Sequence, residues 1–189
     1  MSAGILYLHG FRASPASWKA RLLADALAAR GLSDRLFCPF LSSVPNEAIA
    51  QTEAIIAGHD GPLGVAGSSL GGFYATYLAE KYDLRAVLIN PSVAAPISLE
   101  KYLGTQTNLY THETFEFTTR HLAQLRALEA AQVTPSRYLL MVETGDEVLD
   151  YRQAVARYAG CRQIVLPGGD HSFTRFPEYV VQLIEFCGL

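Results

Sequence analysis

Short runs of apolar residues recur along the chain, separated by longer stretches in which apolar residues come every three or four positions. The runs predict six strands, at residues 5–8, 35–38, 62–66, 86–90, 138–142 and 163–166. Most of them are continuously apolar rather than alternating, which is typical of strands buried on both faces. Strands that alternate with helices build a parallel sheet covered on both sides. The pattern therefore predicts an α/β fold with one compact, six-stranded, mostly parallel sheet and helices on both faces.

Capping and terminating residues indicate where the helices begin and end. Ser14 and Pro15 suit the N-cap and the first helical position, and Gly31 suits the end of that helix. A second helix is predicted from about residue 45 to 57, and a third directly after the glycine-rich turn at 67–72. Asp150 is the predicted N-cap of a helix that reaches about residue 159, and Pro177 opens the last one.

Length and charge limit the classes of function. The 189 residues are 50% hydrophobic and 17% charged, which predicts a single domain, 1–189, with a sizeable core. The net charge of −3 offers no basic field for a polyanion, so we expect no nucleic-acid partner. A small-molecule substrate is the partner that remains.

Cysteine usage and the first residues bear on location. Cys38, Cys161 and Cys187 are far apart and odd in number, which favours reduced thiols over a disulfide framework. The chain runs from Met1 into its first apolar run without a basic segment or a cleavage site, so no signal peptide is expected. No apolar run approaches the roughly 18 residues of a membrane span. These features predict a cytoplasmic protein.

One segment, residues 92–120, breaks the alternation of strands and helices. It is longer than an ordinary connection, so we expect it to contain short helices of its own. Its aromatic residues are Tyr102, Tyr110, Phe115 and Phe117. We predict that this insertion is a lid over the carboxyl edge of the sheet, and that its aromatic side chains favour an apolar substrate portion. An ordinary surface insertion and a dimer interface are the alternatives, and the oligomeric state stays open.

Residues 67–72 read GSSLGG and follow the third predicted strand. Gly67, Ser69 and Gly71 fit the pattern G-x-S-x-G, in which the central serine occupies a sharp strand-to-helix turn with its hydroxyl exposed above the sheet. A glycine-rich structural turn or a phosphate-binding loop are the alternatives, but no Gly-Lys-Ser/Thr follows as a Walker loop requires. Ser69 is therefore the candidate nucleophile, and Ser68 is the weaker one because no such pattern centres on it.

A serine nucleophile needs a base, and His171 is the best placed candidate. It lies in the glycine-rich stretch 167–173 just after the sixth predicted strand, at the carboxyl edge of the sheet. His112 and His121 fall in or beside the insertion, with no suitable acid between them and a strand end. His9 follows the first strand, where we expect it to brace the loop rather than to act in catalysis.

The base needs an orienting acid, and Asp146 is the candidate because it lies in the loop directly after the fifth strand. The competing carboxylates are Glu143, Glu147, Asp150 and Asp170. Glu143 still belongs to the strand, and Asp150 has a capping role. Asp170 adjoins His171, and neighbouring residues rarely present their side chains to each other.

An oxyanion hole completes such a site. One donor is expected to be the N–H of Leu70, the residue after the candidate nucleophile. The other is expected to be the N–H of Phe11, in the loop after the first strand, where Gly10 permits the turn that directs it.

Four motifs in this order resemble an α/β-hydrolase, and most closely the small bacterial YqiA-like esterases: LHGF at 8–11, GSSLGG at 67–72, GDEVLDY at 145–151 and GDHSF at 169–173. The resemblance implies a compact hydrolase core without the first strands of larger members. It also implies Ser69 as nucleophile, Asp146 as acid and His171 as base, acting on acyl esters or thioesters. No metal or cofactor is implied. The alternatives are an acyltransferase or peptidase with the same three residues, and a binding protein that keeps the fold without the chemistry.

Overall fold

The computed structural model describes residues 3–189 and contains all six predicted strands in one parallel sheet. Its strands run in the order β2-β1-β3-β4-β7-β8, while β5 and β6 form a separate antiparallel pair. The strands are β1 (Gly4–Leu8), β2 (Leu36–Phe37), β3 (Leu63–Ser68), β4 (Arg85–Ile89), β5 (Gly104–Thr107), β6 (Thr114–Phe117), β7 (Tyr138–Glu143) and β8 (Arg162–Leu166).

Helices cover both faces of this sheet. They are α1 (Trp18–Ala28), α2 (Pro45–Gly58), α3 (Leu70–Tyr82), α4 (Ala95–Ser98), α5 (Thr119–Ala127), α6 (Tyr151–Arg157) and α7 (Phe176–Phe186). Helices α1 and α7 pack on one face, whereas α2, α3 and α5 supply the core on the other. Within residues 3–189, no helix combines the length and the apolarity that crossing a bilayer requires.

Strand β1 illustrates why the predicted strands are continuously apolar. Its five residues are all buried, and they divide between two cores because successive side chains point to opposite faces of a sheet. Leu6 and Leu8 pack in the core beneath α3, whereas Ile5 and Tyr7 pack in the core beneath α1 and α7. A charged residue at either set of positions would be buried in a core, so the run contains none.

The start of α1 differs from the sequence prediction. The helix begins at Trp18, and Ser17 is its N-cap without a side-chain hydrogen bond. Ser14 instead opens a separate turn: its carbonyl accepts the N–H of Ser17 at 3.0 Å and its hydroxyl accepts the N–H of Ala16 at 3.0 Å. Proline at the second position of a β-turn is as favourable as proline at the start of a helix, and here the turn prevails. The prediction for Asp150 is confirmed, because its carboxylate caps α6 by accepting the N–H of Arg152.

Residues 92–120 contain the short helix α4, one turn of 3-10 helix and the β5–β6 hairpin. The short helices were expected, whereas the hairpin was not. An aromatic cluster joins this insertion to the loop after β1: the Phe11 ring centroid lies 5.6 Å from that of Tyr102, 5.8 Å from Phe115 and 5.0 Å from Phe117. The insertion is thus packed against the loop that carries the predicted oxyanion donor Phe11.

Candidate active site

Ser69 stands alone between β3 and α3 in a strained backbone conformation. Its φ of 55° and ψ of −119° lie outside the regions that side-chain-bearing residues ordinarily occupy. Hydrogen bonds on both sides hold this conformation, because the Ser69 N–H donates to Ile89 at 3.1 Å and the Ser69 carbonyl accepts the N–H of Ser92 at 3.0 Å. The turn therefore presents the Ser69 side chain at the carboxyl edge of the sheet.

Two glycines make this sharp turn sterically possible. A Cβ atom at Gly67 would collide with the carbonyl group of Gly71, on the first turn of α3. A Cβ atom at Gly71 would collide with the carbonyl group of Leu8, at the end of β1. Helix α3 consequently lies so close to the sheet that a side chain at either position would not fit. This close contact explains why glycine stands two residues before and two residues after Ser69.

The structure brings Ser69, His171 and Asp146 together from three separate loops. The Nε2 atom of His171 lies 3.1 Å from the Ser69 hydroxyl oxygen, and the Nδ1 atom lies 2.8 Å from Oδ2 of Asp146. When Nδ1–H donates to this carboxylate, Nε2 is left as an acceptor for the serine proton. The arrangement can therefore remove the proton from Ser69.

The Asp146 carboxylate is itself fixed in place. Its side chain is 2% exposed, and its second oxygen, Oδ1, accepts the N–H groups of Val148 at 2.9 Å and Leu149 at 2.8 Å. These backbone donors set the orientation of the carboxylate toward the imidazole. The loop after β7 thus folds around the side chain that holds His171.

The competing carboxylates have other partners. Asp150 caps α6, and Asp170 accepts the N–H of Ser172 at 2.8 Å. Glu147 accepts the backbone N–H of His171 at 3.0 Å, so it contacts the main chain of this residue. None of these contacts involves the imidazole ring, whereas Asp146 lies beside its Nδ1 atom.

The other histidines considered from the sequence lie outside this chain of hydrogen bonds. His121 accepts the N–H of Thr118 at the start of α5, and His112 lies in the turn of the β5–β6 hairpin. His9 donates from Nδ1 to the carbonyl of Gly10 at 3.0 Å and accepts the N–H of Leu41 at Nε2, at 3.1 Å. Burial lowers the pKa of His9, which favours the neutral ring that these two contacts require. His9 thus braces the loop after β1.

The two predicted oxyanion donors lie beside Ser69. Phe11 and Leu70 line one cavity of about 220 Å³ together with Ser69 and His171. Leu70 is the first residue of α3, so its N–H has no acceptor within the helix and is aligned with the positive end of the helix dipole. Gly10 brings the loop of Phe11 against the serine, because a Cβ atom at Gly10 would lie 3.3 Å from Cβ of Ser69.

The remaining walls of this cavity are predominantly apolar. They include Leu99, Tyr102, Leu109, Val148 and Leu149. A neighbouring cavity of about 140 Å³ is lined by Phe40, Leu41, Tyr74, Phe115 and Phe117, among others. Phe11 and Leu70 line both cavities, so the space near Ser69 can accept apolar groups on two sides of the predicted oxyanion hole.

Glu143 is a structural feature of the site that the sequence analysis missed. This last residue of β7 is fully buried, and its carboxylate accepts the N–H groups of Asp170 at 2.9 Å, Thr174 at 3.0 Å and Arg175 at 3.1 Å. Burial by itself would raise the pKa of Glu143, but these N–H donors and the Arg175 guanidinium hold it below the ordinary value. The buried carboxylate therefore fastens the loop that carries His171.

Asn90, at the end of β4, completes this support. Its side-chain oxygen accepts the N–H of Glu143 at 3.0 Å, and its amide group donates to the carbonyls of Asp170 at 3.0 Å and His171 at 3.2 Å. In the sequence, each of these residues is marked only by its position: the polar side chains of Asn90 and Glu143 each come directly after a continuously apolar run. That signal indicates a strand end but not the partner across the sheet edge.

Solved structures with the same architecture span nearly the whole chain. Alpha/beta hydrolase domain-containing protein 10 from mouse is 14% identical, with a TM-score of 0.72 over 96% of this chain and 89% of its own. The monoacylglycerol lipase of Paleococcus ferrophilus is 14% identical, with a TM-score of 0.71 over 97% and 93%. Est1E from Butyrivibrio proteoclasticus is 15% identical, with a TM-score of 0.66 over 96% and 85%.

These similarities confirm the predicted α/β-hydrolase fold, because the matched architecture extends from β1 to α7. At such low identity the likeness concerns the fold alone. The family is established separately by sequence. Residues 4–188 match the Uncharacterised protein family UPF0227, and the chain therefore belongs to that family.

Proposed function

We propose that the protein is a serine hydrolase that cleaves carboxylic esters or acyl thioesters through an acyl-enzyme on Ser69. The observation that supports this most directly is the chain of hydrogen bonds from Asp146 through His171 to Ser69, at 2.8 and 3.1 Å. The strained turn that presents Ser69 adds to it, since strain of this kind is concentrated at functional sites.

In the first step, Nε2 of His171 accepts the Ser69 proton while Oγ attacks the substrate carbonyl carbon. Asp146 keeps the imidazole in the tautomer that can accept this proton, and it stabilises the imidazolium that forms. The negative charge that develops on the carbonyl oxygen is stabilised by the N–H groups of Phe11 and Leu70.

In the second step, the tetrahedral intermediate collapses and the bond to the leaving group breaks. The imidazolium of His171 gives its proton to the departing alkoxide or thiolate, which leaves an acyl-enzyme on Ser69. Water then attacks the acyl carbonyl with His171 again as the base, and the acid product is released.

The lining of the cavity favours a substrate with an apolar acyl or aryl group. Leu99, Leu109, Val148 and Leu149 surround the space next to Ser69. The insertion contributes Leu99 and Leu109, so residues 92–120 act as the lid that selects the substrate. Two of the similar structures are described as a metagenome-derived lipolytic enzyme and a monoacylglycerol lipase, which is consistent with an ester substrate. A cytoplasmic location stays a prediction from composition.

Labelling with a small fluorophosphonate, followed by peptide mass mapping, tests the proposal without a choice of substrate. We expect stoichiometric label on Ser69. The label should be lost in Ser69→Ala and should fall by orders of magnitude in His171→Ala. Absence of label on the folded protein would contradict the proposal and favour a binding protein. Product analysis with and without an added alcohol then separates hydrolysis from acyl transfer.

A further inference from the structure

Arg12 follows the proposed oxyanion donor Phe11 and has an uncommon backbone conformation. Its φ of 57° lies in the left-handed region, which is rare for a residue with a long side chain. The insertion holds the backbone there, because the Arg12 carbonyl accepts the N–H of Leu109 at 2.8 Å. The position of this arginine is thus determined by the same contacts that join the oxyanion loop to residues 92–120.

The guanidinium group is also oriented by the insertion. Its Nη1 atom donates to Oε1 of Gln106 at 3.1 Å, and its central carbon lies 5.9 Å from the centroid of the Tyr102 ring. Gln106 is fixed in turn, since its amide nitrogen donates to the carbonyl of Tyr102 at 2.8 Å. Only one of the five guanidinium N–H donors is used by Gln106, so the others are left for a further acceptor.

Among residues 3–189, the Arg12 guanidinium has no ion-pair partner. In the part of the chain from residue 3 to 189, no carboxylate oxygen lies within 4.0 Å of the Arg12 guanidinium. Glu113 lines the neighbouring cavity together with Arg12, but it does not line the cavity of Ser69. Arg12 is half-buried among apolar walls that include Leu99 and Val148. A cation held in such surroundings without a counter-charge attracts an anionic ligand.

We propose that Arg12 forms an anion subsite, and that the preferred substrates are esters or thioesters that carry a carboxylate close to the cleaved bond. This inference rests on the proposed function and adds the substrate class. A guanidinium group suits a carboxylate because its parallel N–H groups can donate to both oxygens. The apolar walls then accept the hydrocarbon portion that connects the carboxylate to the carbonyl.

Two matched pairs of substrates test the subsite on either side of the cleaved bond. The first pair is 4-acetoxybenzoate and 4-acetoxybenzamide, and the second is monophenyl adipate and its terminal amide. Within each pair the shape is nearly constant and only the charge differs. For at least one pair, we expect wild-type kcat/KM to be roughly 10- to 100-fold higher for the carboxylate, as charge-assisted hydrogen bonds imply.

Substitution of Arg12 should remove this discrimination. In Arg12→Met the ratio of carboxylate to amide kcat/KM should fall roughly tenfold or more, and Arg12→Lys should retain part of it as a single point charge. Gln106→Ala should lower the ratio by a smaller factor, because the charge remains but its orientation is lost. Arg30→Met, at an exposed position in the turn after α1, is the matched control and should leave the ratio unchanged.

Equilibrium binding to the Ser69→Ala protein separates the subsite from the chemistry. Calorimetry should show that at least one carboxylate binds about tenfold more tightly than its amide. In the double variant Ser69→Ala, Arg12→Met this difference in affinity should be lost. Equal affinities for the carboxylate and the amide within both pairs would overturn the anion subsite. It would also be overturned if Arg12→Met lowered kcat/KM equally for both members of each pair. Failure of fluorophosphonate to label Ser69 would contradict the proposed function instead, and the binding result would still decide the role of Arg12.

Discussion

The carboxylate of Glu143 accepts the backbone N–H of Asp170, at 2.9 Å, so a buried charge at the end of β7 holds the residue next to His171. Asp146 lies three residues after Glu143, in the loop that follows β7, and contacts the imidazole itself. One strand end thus contributes both the partner of the histidine ring and the support of its backbone. Substitution of Glu143 and of Asp146 should separate these two contributions.

Glu143→Gln should leave the shape of the side chain nearly intact but replace one acceptor oxygen with an amide group. Because three backbone N–H groups converge on this carboxylate, at least one loses its acceptor, and the free energy of unfolding should fall by about 1–3 kcal/mol. The loop that holds His171 should loosen, so the rate of Ser69 labelling should fall while KM for esters changes little. Glu129→Gln, at an exposed position, is the control for loss of charge alone.

The acid stability of the protein should reflect the lowered pKa of Glu143. Unfolded chains bind a proton at this side chain near pH 4.3, whereas the folded protein resists protonation until lower pH. The contribution of the charge is therefore complete above about pH 4.3 and is lost as the pH falls toward the folded-state pKa. Urea unfolding at several pH values should show the difference between wild type and Glu143→Gln shrinking over that interval; a constant difference would contradict this account.

Asp146→Asn should abolish most activity without unfolding the protein. The amide oxygen can still accept the N–H groups of Val148 and Leu149, but an amide group facing Nδ1 favours the wrong imidazole tautomer. We expect kcat to fall by about 10³- to 10⁴-fold, with the midpoint of thermal unfolding nearly unchanged. Asp150→Asn is the matched control, because asparagine caps α6 as well as aspartate does, and kcat should stay within about twofold. Similar losses in both variants would show that Asp146 is not the orienting acid.

His9 should make the stability of the protein depend on pH around neutrality. Burial lowers its folded-state pKa, so the unfolded chain takes up a proton first as the pH falls below about 6.5. The stabilising contribution of neutral His9 is therefore complete above that pH and decreases toward the folded-state pKa. Urea unfolding between pH 7.5 and 5 should give a flatter profile for His9→Gln than for wild type, whereas exposed His112→Gln should keep the wild-type slope.

Two glycine substitutions should differ greatly in effect. Gly71→Ala forces a Cβ atom into the carbonyl group of Leu8, and should cost more than about 3 kcal/mol or prevent folding. Gly58→Ala, in α2, meets nothing within 4 Å, and should be neutral or should stabilise by up to about 1 kcal/mol. Chemical denaturation of the two variants, with expression yield as a second readout, checks both expectations.

The core and the placement of the candidate site could be predicted because local patterns determine both. Runs such as 86–89 and 138–142 are apolar throughout, which only a sheet buried on both faces requires. Ser69, Asp146 and His171 could be chosen because each lies in the turn or loop after a predicted strand, and the carboxyl ends of parallel strands share one edge.

The β5–β6 hairpin and the role of Glu143 could not be predicted in the same way. The hairpin strands are short and partly exposed, and residues 104–107 are Gly, Thr, Gln and Thr, so no apolar run marks them. Glu143 acts through residues 170–175 of a different loop, and no local pattern indicates such a contact. The start of α1 was predicted wrongly because Ser14 and Pro15 satisfy two kinds of local structure equally well.

The aromatic cluster around Phe11 has a consequence for how substrate range can change within this architecture. Tyr102, Phe115 and Phe117 rest on the ring of the residue whose backbone N–H is the proposed oxyanion donor. A remodelled insertion would therefore shift that donor together with the walls of the cavity. Under the proposed function, we therefore expect an exchange of residues 92–120 to alter both the choice of substrate and the rate of the chemical step.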